Sequence, residues 1–214
     1  MDNAVALVQA YLRLNGYFTV TEFPIIEALA HGGHRMATDI DVLGVRFAGA
    51  ARAVPLGGAH GGSDRVLSGP DPALGIGADD SDLLIGEVKV GRAELNHGAR
   101  DPDVLRTALT RFGCCTPNDA ERVVPDLIRN GHGYTARGHR VRLVAFGAYV
   151  EEPLHGILAI TLGHVLETIS RYMKDNWDVL RVSEFKDPAL GMLAMMIKSH
   201  ATIRVEPRSD IDRP

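Results

Sequence analysis

Glu87 and Lys89, an acid and a base two residues apart, close an apolar run in Asp82-Leu-Leu-Ile-Gly-Glu-Val-Lys-Val90. The lead-in reads as a buried strand, on which successive side chains alternate faces. Glu87 and Lys89 then share a face, and Val88 points into the opposite layer. Buried charge is costly unless it is paired or holds a metal, so this stretch calls for a partner. The stretch Ala37-Thr-Asp-Ile-Asp-Val-Leu-Gly-Val-Arg-Phe47 supplies one, as a second strand with Asp39 and Asp41 on one face. Carboxylates converging from adjacent strands make a hard-oxygen site suited to Mg²⁺ or Mn²⁺. The backbone carbonyl of Val88 is a further candidate ligand. A metal so held lowers the pKa of a bound water and neutralises a phosphate oxygen. Lys89 would orient that water or stabilise charge in the transition state. The set suits hydrolysis of a phosphodiester. Either motif alone reads equally well as solvated surface, its ion pair worth ~0–1 kcal/mol; their order on neighbouring strands is what favours chemistry.

The elements that must position these residues follow from periodicity and punctuation. Asp2 to Asn15 reads as a helix, capped by Asp2 or Asn3 and ended by Gly16. Tyr17 to Phe23 reads as a strand rich in aromatic and β-branched residues, with Pro24 marking a bend or edge. His31-Gly-Gly-His34 reads as a turn, so the first two strands are expected to pair antiparallel. Residues 48–80 lack a sustained period and read as a long loop near the site. After the Glu87 strand, Asp101–Phe112 and Pro117–Asn130 read as helices and His139–Gly147 as a strand. That long helical connection suits a right-handed crossover to a parallel strand. Leu158–Lys174 and Asp187–Ser199 read as amphipathic helices and Arg204–Pro214 as a loose tail.

Length and composition bound the rest. The 214 residues suit one domain of ordinary size, with 45% apolar and 23% charged residues. A net charge of −4 lacks the global basic signature of a nucleic-acid binder, so such a partner would need a local basic groove. Arg92, Arg106 and Arg111 are the candidate phosphate contacts. Neighbouring Cys114 and Cys115 argue against a disulfide framework and for a reducing, cytoplasmic setting. No signal peptide or membrane span is expected.

The order helix, three strands, helix, strand, with Thr38-Asp-Ile-Asp41 on the second strand and Gly86-Glu-Val-Lys89 on the third, resembles the PD-(D/E)XK nuclease superfamily. That resemblance covers roughly residues 1–150. It implies an α/β, restriction-endonuclease-like αβββαβ core: a mixed central sheet flanked by helices, here with residues 151–214 added as a C-terminal helical extension. It implies a Mg²⁺-dependent endonuclease or exonuclease acting on nucleic acid, most simply DNA, in settings such as repair or phage defence. Asp41 matches the family's metal-binding Asp, Glu87 its second carboxylate and Lys89 its catalytic lysine, with Asp39 auxiliary. Two features depart from the pattern. The family's Pro-Asp pair is absent at Asp41. The first helix offers Gln9 where many members carry an acid, and Glu22 is the candidate substitute. A homodimer is expected because two sites cut two strands readily.

Other readings stand beside this one. The same frame serves a catalytically inactive nucleic-acid-binding or assembly module. A small-molecule phosphate hydrolase is disfavoured by the lack of a phosphate-cradling glycine loop. His31 and His34 lack companions for zinc, and Cys114 lacks a His/Asp partner.

Overall fold

The computed structural model describes residues 2–54, 65–67, 69–151 and 154–199. In chain order the elements begin with α1 (Asn3–Leu14), β1 (Tyr17–Ala28), β2 (His34–Arg46), β3 (Ala53–Val54), β4 (Arg65–Val66) and β5 (Asp82–Val88). There follow α2 (Pro102–Phe112), α3 (Pro117–Asn130), β6 (His132–Tyr134) and β7 (Arg140–Gly147). The chain continues through β8 (Leu158–Thr161), α4 (Leu162–Asp175), α5 (Trp177–Leu180) and α6 (Pro188–Lys198).

The sheet is mixed, in the order β1-β2-β5-β7. β1 runs antiparallel to β2, β2 antiparallel to β5, and β5 parallel to β7 through the α2–α3 crossover. The outer edge of β7 is shared: β6 pairs with Arg140–Arg142 and β8 with Val144–Gly147. Every residue of β5 is buried, as befits a strand covered on both faces. One core joins Val42, Leu84, Val144 and Phe146 to α1, α4 and α6. The other joins Leu43, Leu83, Ile85 and Leu143 to α2 and α3. The expected α/β architecture, with a mixed sheet flanked by helices, is what the chain adopts.

Local chemistry fixes the helix ends. Asp2 caps α1 by accepting from Ala4 N at 2.7 Å. Thr116 and Asp119 form a reciprocal capping box on α3, a device worth roughly 0.5–2 kcal/mol. Pro24 is tolerated inside β1 because that strand is the sheet edge.

Three expectations change. Residues 158–161, expected to open a helix, instead form β8, and Thr161 caps α4 by accepting from His164 N at 3.1 Å. Three apolar residues and a threonine abutting an amphipathic helix match its period, and only pairing with β7 distinguishes them. β6, three residues between α3 and β7, is a strand beyond those expected. The described parts of 48–80 that bond the sheet do so at the Asp82 end of β5, where Arg142 and Arg140 donate to the carbonyls of Leu74 and Gly75. Buried Arg46 stitches this loop, donating to the carbonyls of Ala50, Gly77, Ala78 and Asp80. Residues 55–64 of that loop, and the expected tail at 204–214, lie outside the described residues.

Candidate functional site

Asp41, Glu87 and Lys89 meet at one end of the β2–β5 pair. The ladder stops at Val42 opposite Gly86, which leaves the next backbone groups of β5 in need of partners. Asp41 Oδ2 accepts from Val88 N at 2.7 Å and so extends the pairing with a side chain. Asp41 also marks a change in β2, since Val42 packs in the first core and Ile40 in the second. On β1, between Thr21 opposite Val42 and Phe23 opposite Ile40, lies Glu22, in a left-handed conformation with φ +52°. Non-glycine residues rarely adopt it.

Glu87 is 3% exposed, and its Oε1 accepts from Lys89 Nζ at 2.5 Å and from Asn96 Nδ2 at 2.8 Å. Asn96 Oδ1 accepts from Ala99 N at 2.6 Å, which fixes the amide so that its nitrogen faces Glu87. Lys89 remains 38% exposed. Among the described residues, Asp41 Oδ1 and Glu87 Oε2 accept no hydrogen bond. Each acid therefore presents one uncommitted oxygen.

The electrostatics are unbalanced. Burial pushes the Asp41 carboxyl above its ordinary range, and the charges of Asp39 and Asp2 add to this against the Val88 amide and Lys89. Burial raises Glu87 too, helped by Asp41 and Asp39 and opposed by Lys89. Burial pulls Lys89 down, but Glu87, Asp41 and Glu94 outweigh it, so its pKa rises and it stays a cation.

Asp39 is exposed and reaches the pair through its charge. Glu22 Oε1 accepts from Asp2 N at 3.2 Å. Val88 meets Asp41 through its N–H, and its side chain enters the first core. Gln9 bonds Thr19 at 3.3 Å; the acid that α1 does bring near Asp41 is its cap, Asp2. Arg92 pairs with Glu94 and with Glu151 at 3.0 Å, Arg106 pairs with Asp103 at 2.6 Å, and Arg111 lies 5.7 Å over the Phe23 ring. These arginines are not gathered at Glu87. Sequence reasoning offers Asp2 only as a helix cap and Asn96 only as part of a polar stretch after Gly91, neither of them as a site residue. His31 and His34 are exposed, and burial pushes the Cys114 thiol up to about 12.

Among the described residues, no three His, Cys, Asp or Glu side chains are grouped to hold a metal ion. Two carboxylates with one open oxygen each still fit Mg²⁺, which is commonly held by one or two carboxylates plus waters and substrate phosphate. No helix among the described residues is long and apolar enough to cross a membrane. No protein-family model, curated protein or solved structure matches the chain.

Proposed function

We propose that the chain is a metal-dependent nuclease of PD-(D/E)XK type that hydrolyses phosphodiester bonds, most simply in DNA. One observation carries this reading: buried Glu87 and half-buried Asp41 share a single ammonium, that of Lys89, and each keeps an uncommitted oxygen. Excess negative charge away from bulk water is what a divalent cation relieves. The succession α1, β1, β2, β5, α2, α3, β7, with β3 and β4 set apart in their own small sheet and β6 on the outer edge of β7, supports the same reading.

Asp41 and Glu87 would hold Mg²⁺ or Mn²⁺. When bound there, the ion would lower the pKa of a coordinated water and neutralise a phosphate oxygen. Lys89, held cationic, serves as an electrostatic group toward the reacting phosphate rather than as a base. Asn96 holds Glu87 in place and leaves its second oxygen open. The test is cleavage of linear DNA, circular DNA and RNA with and without Mg²⁺. Ion-dependent cutting that is lost in Lys89→Ala and Asp41→Ala supports the reading. Cutting by both variants at the wild-type rate would falsify it.

A second reading, an inactive nucleic-acid-binding module on the same frame, is favoured by one detail. Asp41 already serves the Val88 amide, a structural duty that needs no metal. Binding of nucleic acid without cleavage under any divalent ion would select it.

A further inference from the structure

Between the segment that follows β5, the end of α3 and the segment that precedes β8 lies a cavity of about 640 Å³. One wall is the segment 92–95, shortly after Lys89; the facing wall is Leu154, His155 and Ile157. Both walls are fixed by backbone contact. Ala93 N donates to Tyr149 O at 2.9 Å, and a β-carbon on Gly147 would come within 2.3 Å of Ala93 N. The second wall is pressed onto the end of α3, where a β-carbon on Gly131 would lie 2.4 Å from Gly156 O. The cavity is thus shaped by main chain, and its size falls in the range of ligand pockets, roughly 300–1,000 Å³.

Its lining has two kinds of chemistry. Leu95, Ile128, Leu154 and Ile157 are apolar. Three arginines face the two carboxylates Glu94 and Glu151, and Arg92 engages both of these acids. Arg100 and Arg129 have no side-chain partner among the described residues. Guanidinium forks match phosphate oxygens in pairs, and two of them suit a dianion better than the single charge of a diester. A second, shallower cavity, lined in part by Arg106, shares Ile128 and Arg129 with the first.

We propose that this cavity takes a nucleotide by its terminal phosphate, with Arg100 and Arg129 on the phosphomonoester and the apolar lining under the base. The word nucleotide rests on the nuclease reading. The phosphate arrives either on a strand end or on a free nucleotide.

The test is equilibrium binding to the full chain carrying Glu87→Gln, without divalent metal, so that no cleavage step enters. The probes are a short labelled DNA strand bearing a 5′-phosphate, a 3′-phosphate or neither, with nucleoside monophosphates as competitors. One phosphorylated strand is expected to bind at least about tenfold tighter than the unphosphorylated one. That preference should vanish in the Arg100→Ala/Arg129→Ala variant, whose exposed sites leave the fold intact as checked by melting temperature. Displacement by free nucleotide at concentrations comparable to the strand assigns the site to free nucleotides. Displacement only at far higher concentrations assigns it to strand ends. Equal affinity for all three strands, or a phosphate preference that survives the double variant, overturns the proposal. Because metal and turnover are absent, a chain that never cuts DNA can still pass this test.

Discussion

At one end of β5, Asp82 is wholly buried and meets Tyr17 Oη at 2.6 Å, Arg140 at 3.0 Å and Arg142 at 2.9 Å. At the other end, Glu87 is almost as buried but meets one lysine and one amide, with Asp41 and Asp39 adding charge of the same sign. The strand, the layers around it and the residue class are shared; the counter-charge differs. Asp82 neutralises buried Arg142, and the second arginine, Arg140, reaches water, so no interior charge is left uncompensated. Two acids around one lysine leave a charge for something else to neutralise. Burial alone therefore does not mark a site, and the imbalance does.

The largest expected effect is at the balanced end. Asp82→Ala leaves Arg142 buried without its acid, and breaking such a pair costs about 3–5 kcal/mol. Urea unfolding measures it, and a loss below about 1 kcal/mol would remove the contrast between the two ends.

At the unbalanced end the effect moves from stability to activity. Lys89→Ala should lower the rate of Mg²⁺-dependent cleavage by about 10²–10³-fold, the usual consequence of removing one donor to transition-state charge. Its melting temperature should also fall, because buried Glu87 loses its ammonium, but by less than in Asp82→Ala because Lys89 itself is partly exposed. Steady-state cleavage and a thermal melt on the same sample separate the two.

Asn96→Ala should cost less, about tenfold in cleavage rate, through loss of one hydrogen bond to a charged group. Asn96→Asp should do worse than alanine, because it adds a third negative charge beside Glu87. The reverse ranking would deny Asn96 its positioning role.

The smallest effect is the most diagnostic in sign. A carboxyl whose folded pKa lies above its unfolded value contributes stability that is full below the unfolded value. That contribution is lost as pH rises through the folded one. Asp41 and Glu87 are both raised, so their charged forms weaken the fold near neutral pH. Glu87→Gln should raise the melting temperature at pH 7 relative to wild type and narrow the gap below about pH 4. A lower melting temperature at pH 7 would make Glu87 a structural acid like Asp82.

The sequence discloses these two ends unequally. Asp41, Glu87 and Lys89 are legible because strand alternation and an apolar lead-in are local properties. Asp82 meets Arg140 and Arg142 only through the parallel register of β5 and β7, which no local pattern announces. Glu22 in a left-handed conformation is equally hidden, because that geometry is expected of glycine or asparagine. Asn96 and Asp2 reach the site through a loop and a helix cap whose direction depends on tertiary packing. β6 has three residues, too few for any period to register.

The difference between the ends of β5 can be tested without a substrate. Wild type, Asp41→Asn and Glu87→Gln are melted across a millimolar series of Mg²⁺ and then Mn²⁺. A ligand that binds only the folded state raises the melting temperature until its site fills. The expected result is a saturable rise in wild type that disappears in both variants. A flat wild-type series, or the same rise in all three proteins, would contradict a cation site at Asp41 and Glu87.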